Sequence, residues 1–262
     1  MKTRVLSIGD IHGRDTWKFI THGSSYEFDL WRTMVEAGAT PDDESFKDDY
    51  PFMGVDKIVF VGDYVDSFTI TNVVIKKNLE DIVWFKKMLP DKVILLWGNH
   101  DVQYFIPNQI CSGYRPEAKY DLEDIFRENR DLFQMAYHNG DYLWTHAGLV
   151  KQILRALLKN KEYDFLSELK SEGEVLNEAF KHECHELFAV DRASGGWSTY
   201  GGPLWVRPKM LAEEAVDLHQ IVGHTPQKKL LELKNKRDYN IWFIDYIEYG
   251  DDDNIVPFIL EI

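Results

Sequence analysis

Two stretches decide how this chain folds: Val5-Leu6-Ser7-Ile8 running into Gly9-Asp10-Ile11-His12-Gly13, and Lys57-Ile58-Val59-Phe60-Val61 running into Gly62-Asp63-Tyr64-Val65-Asp66. Each is an apolar, β-rich run that ends on a glycine, followed at once by side chains able to bind a metal. Three later segments repeat the arrangement. Val93 to Trp97 leads into Gly98-Asn99-His100-Asp101, Tyr142 to Trp144 into Thr145-His146-Ala147-Gly148, and Ile221-Val222 into Gly223-His224-Thr225. Ligands of open α/β sheets sit at the carboxyl ends of strands. Five polar tips at five strand ends therefore read as one site.

Helical patterns lie between these strands. Asn72 to Leu89 places Val73, Val74, Ile82, Phe85 and Leu89 on one face, with Pro90 as the stop. Asp121 to Met135 repeats the pattern, and Val150 to Ala189 reads as two helices broken near Gly173. Ser194 to Pro203 is glycine-rich and reads as a loop. Asn240 to Tyr246 and Ile255 to Ile262 read as closing strands around an acidic turn, Gly250 to Asn254. Strands and helices are interspersed, which predicts an α/β chain with mixed sheets. With 262 residues and 44% hydrophobic content, residues 1–262 read as a single domain. Residues 15–56 are the least regular stretch and read as an insertion or lid, packed by Trp17, Phe19, Tyr26, Phe28 and Trp31.

The formal net charge of -14 argues against a nucleic-acid partner, since phosphate is repelled by an acidic surface. It does not exclude an anionic substrate held at bound metal, because the ions are then the largest local charges. Two cysteines, Cys111 and Cys184, imply no disulfide framework. No signal-peptide pattern precedes the first strand and no apolar run is long enough to span a bilayer, so the expectation is a cytoplasmic protein without a membrane partner.

Phosphate-ester hydrolysis needs an activated water, charge neutralisation on the phosphoryl oxygens and a proton for the leaving group. Two metal ions about 3.5–4 Å apart serve the first two needs. Asp63 is the candidate bridging carboxylate, Asp10 the second carboxylate, and His12, Asn99, His146 and His224 the neutral ligands. A mixed N/O set without thiolate favours Mn, with Fe or Zn as the other choices, over Ca or Mg. The segment Lys181 to Glu186, with two histidines and a cysteine, reads as a solvated helical face, because it lacks paired cysteine spacing.

The ordered run GDIHG, GDYVD, GNHD, HAG, GHT resembles the calcineurin-like metallophosphoesterase superfamily, most of all its bacterial and phage serine/threonine phosphoprotein phosphatase branch. The intervals from Asp63 to Asn99, on to His146 and on to His224 are similar to that branch, while the gap from Asp10 to Asp63 is longer. The resemblance implies a four-layer α-β-β-α sandwich of two mixed sheets flanked by helices. It implies that Asp10 and His12 bind one metal, that Asp63 bridges, and that Asn99, His146 and His224 bind the other. It implies that His100 is the general acid toward the leaving oxygen, oriented by Asp66.

Three departures from the branch stand out. GDxVDRG here continues as Asp66-Ser67-Phe68, so the phosphate-gripping arginine is missing. GNHE has become GNHD at Asp101, and the last motif runs into Thr225-Pro226. Leu204-Trp205-Val206-Arg207 resembles the LWxR segment of bacterial members, which makes Arg207 the candidate phosphate ligand beside Asn99; Arg14 and Arg192 are its rivals. The expected function is a two-metal phosphomonoester hydrolase acting by in-line attack on a phosphorylated protein or a small phosphoester. The alternatives are a symmetrical dinucleoside tetraphosphate or other nucleotide hydrolase, and a non-catalytic binding module. An open groove near Ser194 to Pro203 and the 15–56 segment favours the first, a base-sized pocket the second.

Overall fold

The computed structural model describes residues 2–107, 109–246 and 257–262. In chain order the strands are β1 (Arg4–Ile8), β2 (Lys57–Phe60), β3 (Val93–Leu96), β4 (Phe133–Gln134), β5 (Ala136–Asn139), β6 (Tyr142–Thr145), β7 (His219–Val222), β8 (Leu231–Lys234), β9 (Asn240–Phe243) and β10 (Phe258–Glu261). The helices are α1 (Thr16–His22), α2 (Ser25–Glu36), α3 (Asn72–Met88), α4 (Asn99–Val102), α5 (Lys119–Glu128), α6 (Lys151–Lys159), α7 (Glu172–Lys181) and α8 (Pro208–Glu214). The strands form two five-stranded mixed sheets, ordered β10-β1-β2-β3-β4 and β5-β6-β7-β9-β8. Strands β1 to β4 are mutually parallel and β10 is antiparallel to β1. In the second sheet β6, β7 and β9 run parallel, with antiparallel β5 and β8 at the edges.

The alternation along the central strands explains the layering. Val5, Val59, Val61, Ile94 and Leu96 share one core with Trp144, Ile221 and Trp242. Their neighbours Leu6, Ile58, Phe60, Val93 and Leu95 belong to the other core, which takes in the helices. Parallel strands buried on both faces need apolar residues at both phases of the pleat. Trp144 Nε1–H donates to Ser7 Oγ at 2.9 Å and pins one sheet to the other. The result is the expected sandwich of two mixed sheets flanked by helices.

Residues 15–56 form α1, α2 and two short 3-10 turns. Trp17, Phe28 and Trp31 are buried, and all three contact Phe85 of α3; Phe19 and Tyr26 are exposed instead. Trp17 Nε1–H donates to Asn78 Oδ1 at 2.8 Å, and the buried Asp81 pairs with Lys18 at 2.6 Å and Arg32 at 2.7 Å. The segment is thus anchored on α3.

One helical expectation is corrected and one refined. The helix expected over Asp121 to Met135 ends at Glu128, and Phe133-Gln134 enters β4. Phe133 and Met135 are buried with Gln134 half-buried between them, a strand's period-2 pattern. Val150 to Ala189 does hold two helices, α6 and α7, and α7 starts beside Gly173, but α6 already ends at Lys159 and a 3-10 stretch, Lys161–Glu168, lies between them. Ser171 caps α7, its hydroxyl accepting the Glu174 N–H at 3.2 Å. Gly173 lies in the first turn of α7, where a Cβ would stand 2.6 Å from His138 Cβ. The acidic turn at 250–254 lies outside the described residues. Among the described residues no helix is long and apolar enough to cross a membrane.

Candidate active site

All five motif tips meet at the carboxyl edge of the sandwich. Two ligand groups share one residue: Asp10, His12 and Asp63 in one, Asp63, His146 and His224 in the other, with the donor atoms of each within 4.8 Å of one another. These are the metal-holding groups found among the described residues, and Lys181 to Glu186 is not one of them. That segment leaves the helix, exposing His182 and His185 and burying Cys184 and Glu186, so it is not a helical face either.

The histidine tautomers follow from their backbone partners. His12 Nδ1–H donates to Val65 O at 3.0 Å, and His146 Nδ1–H to Val61 O at 2.8 Å. This turns the lone pair of each Nε2 toward Asp63 Oδ2, at 3.9 Å for His12 and 3.4 Å for His146. His146 Nε2 also lies 2.8 Å from Asn99 Oδ1 and 3.2 Å from His224 Nδ1. With Nε2 unprotonated, it, Asn99 Oδ1 and Asp63 Oδ2 are all acceptors and their convergence fits a cation between them. Without a metal ion, burial is outweighed by Asp63, which raises the His146 imidazole, so that a proton can fill that place. Asp10 Oδ2 accepts the His224 N–H at 2.9 Å, while its buried Oδ1 has no hydrogen-bond partner among the described residues, which suits a metal ligand.

Backbone strain is concentrated here. Of the six described non-glycine residues with positive φ, four are His12, Asp63, Asp66 and His224. Such conformations cost about 1–3 kcal/mol each and persist where surrounding contacts impose them. Asp101 imposes one. Fully buried, it accepts the N–H groups of Asp63 and Tyr64 at 2.8 Å and of Gly98 at 2.9 Å. The motif's shorter carboxylate therefore ties the second tip to the third. Gly98 permits this approach, since a Cβ there would lie 2.1 Å from Asp63 Oδ1.

The electrostatics are those of an anionic nest. Burial pushes the Asp10 carboxyl well above the usual range, and Asp245 and Asp63 add to the effect. Burial would also raise Asp63, but His146, His100 and His12 outweigh it and its carboxyl is lowered. Burial and the neighbouring Asp63 push Asp101 up to about 7. His224 is held well below the usual imidazole range by burial, with His146 and Arg207 adding to it.

His100 stands apart from the ligand set. Its Nδ1 lies 3.1 Å from Asp66 Oδ2, and its backbone N–H donates to Asp63 Oδ1 at 2.9 Å. Burial opposes charge on this ring, yet Asp63 and the bond to Asp66 outweigh it and raise the imidazole well above its ordinary value. Asp66 is itself held by the Tyr104 hydroxyl and the Gln103 amide. Neither of those two was legible in the sequence, and both come from the turns after Asn99.

One cleft of about 650 Å³ holds these groups. Its lining includes His12, Asp63, Asn99, His100 and His224, together with Arg207, Cys111 and Asp245. Arg207 is anchored by Ser194 Oγ at 3.3 Å and Thr225 Oγ1 at 3.4 Å. Arg14, half-buried, and Arg192, exposed, are not among the lining residues. Asp245 is a sixth polar tip, two residues past β9, that the motif pattern did not single out. Cys111 accepts the Asn99 Nδ2–H at 3.6 Å.

A mixed two-sheet sandwich with paired N/O ligand groups sharing one carboxylate defines a metal-dependent phosphoesterase. The profile of the calcineurin-like phosphoesterase family matches residues 3–246, and the chain belongs to that family, whose members use a dinuclear divalent metal centre. Among solved structures it is similar to the cold-active protein-tyrosine phosphatase of a psychrophilic Shewanella species, with 18% identity and a TM-score of 0.51 over 94% of this chain and 71% of that one. It is also similar to a point mutant of a cold-active protein-tyrosine phosphatase, with 16% identity and a TM-score of 0.52 over 99% and 75%. At these identities the likeness is one of fold. No curated protein matches the chain at a significant level.

Proposed function

We propose that this chain is a phosphomonoesterase whose natural substrate is a protein phosphorylated on serine or threonine. The observation that carries the reading is the sharing of Asp63 by two ligand groups in the cleft that also holds the His100–Asp66 pair. In this reading Asp10 and His12 hold one ion, Asn99, His146 and His224 the other, and Asp63 both. The mixed N/O donor set favours Mn, with Fe or Zn as the other choices. When bound, the ion pair supplies an activated water and offsets charge on the phosphoryl oxygens.

The chain's own groups do the rest. The Arg207 guanidinium, braced by Ser194 and Thr225, grips phosphate beside Asn99. His100 carries a proton on the ring nitrogen that Asp66 does not hold, and gives it to the leaving oxygen. Tyr104 and Gln103 fix Asp66, and so fix the angle of that ring. A protein substrate is favoured over a dinucleotide because no 15–56 residue lines the cleft, whose border includes Ser194, Gly195 and Gly196.

The test is a panel assayed with Mn²⁺: an aryl phosphate, a phosphoserine peptide, a bis-aryl phosphodiester and a dinucleoside tetraphosphate. Turnover of the peptide and aryl monoester above the other two is the expected outcome. Preference for the tetraphosphate would overturn the proposal in favour of a nucleotide hydrolase, and binding of metal with no turnover at all would mark a binding module.

A further inference from the structure

The chain departs from the GDxVDRG motif of the phosphoprotein phosphatase branch it resembles just after Asp66, and there the departure becomes a surface. Phe68 is 81% exposed and Ile110 72% exposed, and both line the cleft that holds the ligand residues. Large apolar side chains left in water beside a reactive site forgo the benefit of burial until something covers them.

The backbone beside each is hydrogen-bonded. Ser67 Oγ accepts the N–H groups of Thr69 and Ile70, each at 3.2 Å. The Arg115 guanidinium donates to Ser67 O and to Asn72 Oδ1 at the start of α3. A cation is thus present near this turn, but it holds the backbone rather than the cleft. On the other loop the Cys111 N–H donates to Gln103 Oε1 at 3.0 Å, and the same Gln103 holds Asp66. The backbone beside each apolar residue is therefore tied to the groups that orient His100. Phe68 and Ile110 sit on segments linked to Asp66, while Arg207 is braced on a separate loop by Ser194 and Thr225.

Apolar side chains lining the cleft beside hydrogen-bonded backbone ask for an apolar partner carried by the substrate. The net charge of -14 disfavours acidic flanks on that substrate. We infer that Phe68 and Ile110 seat a large hydrophobic side chain flanking the phosphorylated residue, so that the substrate is a phosphopeptide segment with an apolar neighbour beside its phosphoserine or phosphothreonine. This rests on the phosphoprotein reading above.

The experiment compares kcat/KM for two phosphoserine peptides identical except for leucine or alanine on both sides of the phosphoserine. It uses the wild type, the double variant Phe68→Ala with Ile110→Ala, and Phe68→Leu. A ratio taken within one preparation does not depend on the fraction of folded or metal-loaded enzyme. The wild type should favour the leucine peptide by about tenfold or more. The ratio should collapse toward one in the double variant and persist in Phe68→Leu, which keeps the apolar surface. A wild-type ratio near one, or an undiminished ratio in the double variant, overturns the inference. Hydrolysis of an aryl phosphate without turnover of either peptide overturns the phosphoprotein reading itself, and the inference with it.

Discussion

His146 turns the lone pair of its Nε2 onto Asn99 Oδ1 at 2.8 Å, because its Nδ1–H is committed to the Val61 carbonyl. Acceptor faces acceptor, and Asp63 Oδ2 joins them at 3.4 Å. The arrangement makes sense around a cation.

His100 should be separable from the ligands. His100→Asn should keep both metals, since the ring is held by Asp66 and not by the ligand cluster. Loss of a general acid costs about 10²–10⁴-fold when the leaving group is poor. Phosphoserine turnover should therefore fall far more than turnover of a nitrophenyl ester. Metal content with kcat on both substrates decides it; a lost metal would make His100 a ligand, and equal losses would remove its leaving-group role.

Arg207→Ala should weaken inhibition by inorganic phosphate by about 10- to 100-fold, the range for a charge-assisted bond worth about 1.5–3 kcal/mol. Measured inhibition constants for Arg207→Ala, Arg14→Ala and Arg192→Ala give the comparison. If Arg14→Ala or Arg192→Ala shows the larger loss, the phosphate grip belongs to that residue.

Asp101→Ala should destabilise the fold, because three N–H groups, those of Gly98, Asp63 and Tyr64, lose their acceptor in a buried place. The cost should be on the order of 3 kcal/mol or more, which lowers Tm by roughly 6–12 °C for a chain of this size. Melting with metal chelated isolates the hydrogen-bond effect; an unchanged Tm would mean those groups find other partners.

Acid sensitivity should trace in part to His22. It is 1% exposed among Phe28, Trp31, Tyr50, Phe52 and Phe85, and burial, aided by Lys18, lowers its pKa to about 3. The unfolded chain takes up that proton near 6.5, so between these values the unfolded state binds more protons and stability falls as pH falls. The loss should reach on the order of 3 kcal/mol by about pH 4. His22→Phe removes it, and Thr21 Oγ1 keeps its bond to Trp17 O at 2.8 Å. The acid-unfolding midpoint of the variant should move to lower pH; an unmoved midpoint would show that His22 is protonated in the fold.

The residues that converge as candidate ligands were legible because they sit in short motifs directly after strands, where one chain-local pattern carries both the strand and the residue at its tip. Layering was legible only through the resemblance, since Val5, Val59 and Ile94 and their neighbours Leu6, Phe60 and Leu95 are all apolar and only the structure sends them to separate cores. What escaped depends on contacts between distant segments. Nothing local marks Tyr104 and Gln103 as the support of Asp66, or Asp245 as a neighbour of Asp10. The left-handed backbones of His12, Asp63, Asp66 and His224 are imposed from outside, by partners such as Asp101. The helix read through Phe133 failed because the same apolar residues satisfy a helical spacing on paper and a strand in the sheet, where pairing with Leu95 decides it.

The sharing of Asp63 is the centre of the account, and metal stoichiometry tests it most directly. Wild type and Asp63→Asn, reconstituted with Mn²⁺ and desalted, are measured by elemental analysis alongside circular dichroism to confirm folding. The wild type should hold two ions per chain and the folded variant less than one, since one change weakens both sites. A folded Asp63→Asn protein that keeps two ions per chain would contradict the shared-carboxylate centre.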